Sequence, residues 1–352
     1  MARKFGMKVD EFGFGFPPRA LGWYKDQNGK WQRFKSSDSL ENLPSVLYSI
    51  NWLPLGGFVK IKGESGEERN ARDSFAGQKV WRRLVVLLAG VFMNFVVAAI
   101  LLGIGFGIGL PTDLSEGVDE HAIVVESSHV VIESVEKDSP AQKAGLQLGD
   151  AVVSIEGKMI SNSPEMLAAV KAQSSNPLSI AITRAGAPMT FSILPVSLNN
   201  GEAPRLGVSL VDAGLIRYPW FWAIIKGFVA AGIGAFNILV AFYLLLKSAI
   251  LGRGLAFAVS GPVGIAVIVG QSAQLGIRYL LNTTAMISLS LAVVNFLPIP
   301  ALDGGRALFV IIEKIIRRPV SAKYEQMTHT IGFALLMILV VLVTVRDVRG
   351  LF

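Results

Sequence analysis

The chain has 352 residues, of which 52% are hydrophobic and only 17% are charged, and its mean hydropathy is +0.51. This composition excludes an ordinary soluble protein of that length and predicts a chain that lies in a lipid bilayer. The formal net charge of +7 does not predict nucleic-acid binding, because the basic residues stand beside apolar runs rather than in a stripe with interleaved aromatics. The sequence contains no cysteine, which excludes disulfide bonds, thiolate metal sites and cysteine nucleophiles.

Residues 1–83 predict a β-rich region on the cytoplasmic side of the membrane. Asn28-Gly29 lies between two aromatic-bearing arms, a strong local signal for a hairpin with a type I′ turn. A second pair of extended segments, 45–50 and 57–62, is predicted around a turn that contains Gly56-Gly57. We therefore expect a small sheet at the cytoplasmic face.

Five uncharged runs are candidates for membrane-spanning helices. The surest is 84–110, which is long enough to cross a hydrocarbon layer of about 30 Å at 1.5 Å per residue. Four more lie in the C-terminal membrane region, 218–352, at residues 227–246, 254–277, 279–302 and 326–345. Glycine and proline interrupt the run 254–277, which predicts an irregular or re-entrant segment rather than a simple span.

Residues 115–212 predict a soluble domain between the membrane segments. From 111 to 219 the sequence holds thirteen acidic and seven basic residues, and alternating stretches predict strands. Lysine and arginine cluster at 79–83 and 306–323, which predicts that these two segments are cytoplasmic. The acidic domain is then extracytoplasmic, and an odd number of crossings, one or three, separates it from Asp303.

Residues 295–305 carry the sharpest chemical signal. They end an apolar run with Pro298 and Pro300, and then place Asp303 before a pair of glycines. An ionisable group next to a membrane span is a functional candidate, because burying charge there is costly. The prolines free backbone groups, and the paired glycines allow another segment to approach closely. The alternative is that Asp303 is an interfacial turn residue that caps a helix from 307 to 316.

The pattern N-x-x-P-x-P-x-L-D-G in this segment resembles the signature of the site-2 protease family, the RseP-like intramembrane zinc metalloproteases of peptidase family M50. Residues 53–63 resemble the membrane-associated β-hairpin of that family, and residues 260–265 resemble its S-G-P-[IV]-G-I segment. Ala89-Gly90 and Asn94 partly resemble its A-G-P-x-x-N helix, with Val91 in place of the proline.

This resemblance implies a multi-pass α-helical membrane protein with a cytoplasmic-face β-hairpin sheet and an inserted α+β domain. It implies an endopeptidase of the cell membrane that cuts single-span membrane proteins such as anti-sigma factors. Asp303 is by this resemblance the third ligand of a catalytic Zn²⁺. The residues expected to position the substrate are Asn295, Pro298, Pro300, Gly56 and Gly57.

Within the acidic domain, the segment 139–146 followed by Gly149-Asp150 resembles the PDZ signature of bacterial proteases. A PDZ domain binds an extended peptide by adding it to the edge of a sheet. Leu206, Gly207 and Val208 are candidates for the loop that binds the peptide, because successive backbone N–H groups near a glycine can bind an anion. Alternatively, the glycines of this domain serve tight turns and its apolar residues form the core.

The sequence lacks the H-E-x-x-H string that supplies two zinc ligands and a general base. Its only histidines, His121, His129 and His329, do not have ligand spacing, and we expect surface or helix-end roles for them. Residues 2–16 resemble the segment that follows H-E-x-x-H in the family, which predicts an N-terminal truncation and an incomplete, inactive zinc site. The open alternatives are an inactive, membrane-anchored PDZ adaptor that binds peptides and, from a third class, a transporter.

Overall fold

The structure is a computed structural model, and it describes residues 1–34, 43–64, 68, 70–114, 118–136, 139–172, 176–184, 186–196, 204–252 and 260–351. The strands of this part of the chain are β1 (Val9–Lys25), β2 (Trp31–Arg33), β3 (Leu47–Ile61), β4 (Leu110–Asp113), β5 (Ile123–Val135), β6 (Ala151–Ile155), β7 (Lys158–Met159), β8 (Leu178–Arg184), β9 (Ala187–Ile193) and β10 (Val208–Arg217).

The helices are α1 (Val80–Leu87), α2 (Ala89–Ile108), α3 (Pro140–Ala144), α4 (Ser163–Ala172), α5 (Trp220–Ile250), α6 (Pro262–Leu275), α7 (Ile277–Phe296), α8 (Asp303–Ile316) and α9 (Ala322–Leu351). The chain forms two compact units. The first comprises residues 1–94 and 290–352, and the second comprises residues 95–289.

In the first unit, β1 and β2 form the predicted hairpin, with Tyr24 opposite Gln32. The predicted type I′ turn is wrong, because only Gly29 of the Asn28-Gly29 pair has a positive φ, at 76°. The carboxylate of Asp26 accepts hydrogen bonds from the backbone N–H groups of Asn28 and Lys30, both at 2.9 Å. These bonds favour a turn that starts at Asp26 and ends in one left-handed glycine, the pattern of a hairpin with a bulge.

The second predicted pair of strands also forms differently. Segments 47–50 and 57–60 belong to one bent strand, β3, and each arm lies against β1, so that Phe12 is opposite both Tyr48 and Val59. A buried polar cluster links β1 and β3. Glu11 is only 4% exposed, and it accepts two hydrogen bonds of 2.9 Å from Arg19 and one of 2.6 Å from the hydroxyl of Ser49. Pairing of this kind offsets the cost of burying the carboxylate.

Four helices are long and apolar enough to cross a membrane, namely Ala89–Ile108, Trp220–Ile250, Ile277–Phe296 and Lys323–Arg349. Four of the five predicted runs are therefore confirmed as candidate spans. In the fifth run, α6 has only 14 residues, which is shorter than a span, and residues 253–259 lie outside the described part of the chain. The predicted helix 84–110 is divided at Leu88, although the Leu88 N–H still donates to the carbonyl oxygen of Leu84 at 2.9 Å.

In the second unit, a seven-stranded sheet lies between Leu110 and Arg217. Its order is β4-β10-β5-β6-β8-β9, and β7 pairs with β6. The residues that alternate inward from β5, β6 and β8 form a fully buried core with Met166 and Val170 of α4. The predicted inserted α+β domain is therefore present. Asp150, which is completely buried, receives two hydrogen bonds of 2.7 Å from Arg184 and holds the sheet to the loop before β6.

Both ends of the inserted domain leave it side by side. Leu110 of β4 is opposite Ile216 of β10, and the Tyr218 N–H donates to the carbonyl oxygen of Phe106 at 2.9 Å. The rings of Phe106 and Tyr218 meet edge to face, with centroids 5.5 Å apart. The two connections to the membrane helices therefore form one hydrogen-bonded stalk.

The two helices that the stalk joins, α2 and α5, pack against each other through small residues. A side chain on Gly227 would overlap the carbonyl oxygen of Ala99 and the backbone of Gly103, while Ala223 is completely buried against Gly103. Small residues four positions apart let two helix backbones approach closely, which is the usual way in which membrane helices associate.

Candidate functional site

Asp303 is the first residue of α8, and Leu302 is the helix N-cap. The alternative prediction, in which Asp303 caps a helix that begins at residue 307, is wrong because the helix begins at Asp303 itself. A carboxylate in the first turn interacts favourably with the positive end of the helix dipole. The N–H groups of Gly305 and Arg306 both donate to the carbonyl oxygen of Leu302, at 3.1 and 3.3 Å.

The paired glycines bring the start of α8 into direct contact with the preceding turn. A side chain on Gly304 would overlap the carbonyl oxygens of Phe296 and Leu297, and one on Gly305 would overlap the carbonyl oxygen of Ile299. Both glycines are buried. The close approach predicted from the glycine pair is confirmed, and it fixes Asp303 relative to the end of α7.

Three residues of the first unit surround the carboxylate of Asp303. Oδ2 lies 3.8 Å from the position where a side chain would begin on Gly90 of α2. Arg306, one turn along α8, forms an ion pair with Glu64, which follows β3. Burial raises the pKa of Asp303 above its ordinary value, the negative charge of Glu64 raises it further, and the positive charge of Arg306 opposes both effects.

Two ion pairs hold α8 in place. Glu64 accepts a hydrogen bond of 3.2 Å from the backbone N–H of Ile61, so its pairing with Arg306 ties the end of β3 to the start of α8. Near the other end, Glu313 pairs with Arg83 of α1 at 2.6 Å, and both side chains are at least 88% buried. Paired burial of this kind fixes the orientation of the helix that carries Asp303.

Zinc requires more than Asp303 offers. A catalytic zinc takes three protein ligands, yet no three histidine, aspartate or glutamate side chains come together among the described residues. The charged neighbours of Asp303 include Arg306, a cation that disfavours a bound metal ion. The described residues therefore do not by themselves fit a catalytic zinc.

The remaining predicted residues of the membrane site are spread around the turn and the sheet. Asn295 is half-buried on the last turn of α7, Pro298 is exposed and Pro300 is half-buried. Gly56 and Gly57 are exposed at the bend of β3, and Gly56 has a positive φ of 73°. Among the described residues other than its chain neighbours, a side-chain position on Gly57 meets the carbonyl oxygen of Gly13, and none on Gly57 or Gly56 meets Asp303 within 4 Å.

The histidines divide as follows. His121 is 41% exposed and stacks on Trp222 with ring centroids 3.9 Å apart, and His129 lies in β5 opposite Ala213. His329 lies on α9, where its Nδ1 accepts a hydrogen bond of 2.9 Å from the backbone N–H of Ala301. Sequence reasoning missed this contact and the Glu64–Arg306 pair, because partners 28 and 242 positions apart leave no local signal.

The predicted peptide-binding loop of the inserted domain lies directly before β10. Leu206 is buried in the core, its carbonyl oxygen accepts from the Ala141 N–H at 3.0 Å, and only its backbone is available to a ligand. Gly207 has a φ of 77°, and a side chain there would overlap Ser139. Val208 then begins β10 opposite Val135. The predicted loop thus leads directly into a strand.

The same strand has a partly open edge. On one side β10 pairs with β5 over most of its length, whereas on the other side β4 covers only 213–216. The carbonyl oxygen of Asp212 accepts from Leu114 on this second side, at 2.8 Å, and the carboxylate of Asp212 accepts two hydrogen bonds of 2.6 Å from Ser163 at the start of α4. In the part of the chain that the structure describes, no strand pairs with positions 208–211 on this second side, and the bonds from Ser163 place the start of α4 next to Asp212.

The comparisons with known proteins agree on one family. The family model described as peptidase family M50 matches residues 41–339. A putative zinc metalloprotease of Clostridium perfringens is 33% identical over 350 residues, covering 99% of this chain and 92% of that protein. The regulator of sigma-W protease RasP of Bacillus subtilis is 29% identical over 299 residues, covering 84% of this chain and 65% of that protein.

Among solved structures, the PDZ domain of an SdrC-like protein from Listeria monocytogenes is similar to this chain. The match has 23% sequence identity and a TM-score of 0.23, and it covers 26% of this chain and 95% of that domain.

Proposed function

The chain belongs to peptidase family M50, and from this premise we propose that it acts as a zinc-dependent membrane endopeptidase that cuts single-span membrane proteins, anti-sigma factors among them. The proposal rests on the carboxylate of Asp303, which is half-buried at the start of α8 and lies opposite Gly90. A carboxylate that is withdrawn from solvent, in a helix that two ion pairs orient, is a candidate functional group.

The proposal assigns Asp303 as one of the protein ligands of zinc. The other ligands and the general base come from outside the described residues. The chain's own residues orient the carboxylate: Gly304 and Gly305 set the helix against the preceding turn, and the Glu64–Arg306 pair links Asp303 to β3.

Substrate binding follows from backbone chemistry. A helical substrate hides its carbonyl groups in internal hydrogen bonds, so cleavage requires an extended stretch. The exposed main chain at Gly56-Gly57 offers a place where such a stretch can lie, because glycine has no side chain of its own to cover it. Asn295, Pro298 and Pro300 flank the turn before Asp303 and would hold the stretch at the scissile bond.

The inserted domain binds an extended peptide or an unfolded end of a substrate on the extracytoplasmic side, and so selects or docks substrates. The open edge of β10 beside α4 supports this role, since an added strand gains main-chain hydrogen bonds there. Peptide contact uses the backbone of Leu206 and Gly207 and the start of β10 at Val208.

A second candidate function is a membrane-anchored peptide-binding adaptor without catalysis. The edge of β10 favours it, because positions 208–211 pair with no strand on their second side among the described residues and peptide binding there requires no metal ion. The two candidates differ in a measurable way, because only the protease requires Asp303.

The test uses the protein expressed from its natural gene with every upstream in-frame codon retained. Asp303→Asn is compared with Asp26→Asn, which changes a partly exposed carboxylate in the turn between β1 and β2. We expect Asp303→Asn to lose bound zinc and cleavage of a co-expressed single-span substrate, and Asp26→Asn to retain both. Equal zinc content and equal cleavage in the two variants would reject the protease and leave the adaptor.

The proposed topology is tested separately. Two candidate spans, α5 and α7, lie between the inserted domain and Asp303. An odd number of crossings requires either that α5 lies along the outer surface or that the segment around α6 also crosses. Because the sequence has no cysteine, single cysteines introduced along α5 and α6 and labelled from each side of the membrane distinguish one crossing from three.

A further inference from the structure

The turn before Asp303 contains an unusual backbone conformation. Ala301 has a φ of 77°, one of four non-glycine residues in the described part of the chain with a positive φ. A side chain with a Cβ atom disfavours this left-handed region, and an alanine lacks the polar group with which asparagine or aspartate compensates locally. Some other contact must therefore hold Ala301 in this state.

That contact comes from α9. Nδ1 of His329 accepts a hydrogen bond of 2.9 Å from the N–H of Ala301, and the imidazole lies against the ring of Phe309, with centroids 5.6 Å apart. Three positions along the same helix face, Gly332 lies so close to Pro300 that a side chain there would overlap the proline ring and carbonyl group. The face of α9 around His329 and Gly332 is thus fitted to the turn at Pro300 and Ala301.

The hydrogen bond also determines what His329 can do. Because Nδ1 accepts from Ala301, the neutral imidazole carries its proton on Nε2, and that atom is buried without a hydrogen-bond partner among the described residues. Neither nitrogen then has a free lone pair for a metal ion. His329 acts on the turn and is not a substitute zinc ligand.

We propose that His329 is a positioning residue, which holds Ala301 in the left-handed region and thereby fixes the direction of the Asp303 carboxylate two residues later. Without the acceptor, Ala301 relaxes towards an ordinary negative φ, and the rotation is passed through Leu302 to the first residue of α8. The inference rests on the proposed function only for its effect on cleavage, because the turn itself is measurable without any metal.

The experiment compares four variants in the full chain: His329→Phe, His329→Asn, Ala301→Gly and the double variant His329→Phe with Ala301→Gly. Phenylalanine keeps a ring against Phe309 but removes the acceptor, whereas asparagine retains one. Glycine adopts a positive φ without assistance. Thr330→Val is the matched control, because Thr330 is exposed on the same helix and its hydroxyl donates to the carbonyl oxygen of Gln326 one turn before it.

The first measurement is independent of cleavage. With only three histidines in the sequence, ¹⁵N labelling of histidine and alanine resolves Nδ1 of His329 and reports its scalar coupling to the Ala301 N–H. We expect the coupling in the parent and in Thr330→Val, and its loss in His329→Phe together with Ala301 amide exchange that is about fivefold to tenfold faster. An absent coupling in the parent, or unchanged amide exchange of Ala301 in His329→Phe, would overturn the proposed role of the His329–Ala301 hydrogen bond.

The second measurement is cleavage of the single-span substrate by the protein from its natural gene. We expect His329→Phe to lower cleavage about tenfold to hundredfold, as displacement of a reacting group does, His329→Asn to restore most of it, and the double variant to restore it as well. A double variant as defective as His329→Phe would overturn the positioning role. If Asp303→Asn cleaves like the parent, the proposed function fails. The coupling and exchange measurements then still decide whether the His329 hydrogen bond holds Ala301 in its left-handed conformation.

Discussion

Asp303 and Gly90 lie face to face across α8 and α2, with Oδ2 of the carboxylate 3.8 Å from the point where a side chain would begin on the glycine. Gly90 is exposed, so the space above it leads directly to the carboxylate. Glycine leaves this approach open, and the size of the residue at position 90 should control access to Asp303.

Gly90→Ala and Gly90→Leu separate size from helix propensity. The alanine methyl would make an ordinary van der Waals contact at 3.8 Å and slightly favours the helix, so we expect normal cleavage and normal zinc content. The leucine side chain would extend over the carboxylate, and we expect cleavage to fall about hundredfold. Cleavage is measured beside the thermal unfolding midpoint, and a leucine variant with unchanged cleavage would contradict the assignment of this approach.

Gly227→Leu tests the contact between α2 and α5. Because a side chain at Gly227 meets the backbone of Ala99 and Gly103, the helices must separate, and we expect a loss of about 1–3 kcal/mol in the free energy of unfolding. Gly232→Leu is the control, since no described residue outside its own helix turn lies within 4 Å of a side-chain position there and the residue is exposed. Hydrogen exchange along α2 and α5 reports whether the two helices separate. Similar exchange in both variants would argue against the close contact between α2 and α5.

Asp150→Asn tests the buried ion pair of the inserted domain. Asparagine offers Arg184 one acceptor instead of two and leaves the guanidinium without its counter-charge. We expect the free energy of unfolding of the domain to fall by about 3 kcal/mol. This is the lower end of the range for breaking a buried ion pair, because the Arg184 side chain is still 26% exposed. Exchange protection of β6 and β8 in the full chain is the measurement, with Lys158→Gln as an exposed control. Unchanged protection in Asp150→Asn would show that the pair is dispensable.

Asp119→Asn tests a pH-dependent contact at the start of α5. The hydrogen bond from Lys226, followed by that from the His121 N–H, lowers the pKa of Asp119 below its ordinary value of 3.8. A lowered carboxylate pKa means that the contact stabilises the fold above pH 3.8 and that this stability is lost as the pH falls through the lower, folded-state value.

We therefore expect Asp119→Asn to have a lower unfolding midpoint than the parent at pH 7, and the difference to vanish in acid below the folded-state pKa. Glu120→Gln, which changes the exposed neighbouring carboxylate, should leave the midpoint unchanged at pH 7. A difference between Asp119→Asn and the parent that persists unchanged into strong acid would mean that the side chain acts through shape and not through charge.

The sequence was most informative where the bilayer or the backbone restricts the choice of residues. Uncharged runs predicted the four long helices, because a lipid-facing helix admits few charges. The pair of glycines after Asp303 predicted close packing, because only glycine permits it. The resemblance to a known family rested on the same segment, and the family match over 41–339 agrees with it.

Prediction failed where structure depends on distant partners. The two arms of β3 read as a hairpin, yet each pairs with β1, since pairing is decided by the whole sheet and by the buried Glu11 cluster. The Asp26 carboxylate accepts a hydrogen bond from the Asn28 N–H and thereby favours a different turn from the predicted type I′ turn. The Asn-Gly pair alone does not reveal this interaction. Gly90, Glu64 and His329 reach the Asp303 region only through tertiary contacts.

The stalk formed by Phe106, Tyr218 and the Leu110–Ile216 pair restricts how the inserted domain can move. A domain on two separate linkers could swing by lengthening one of them, but here both linkers are bonded to each other and continue into helices joined at Gly227. A movement of either linker therefore also moves the other, together with the ends of α2 and α5 to which they connect. Spreading the two helices apart would therefore first require the stalk to break.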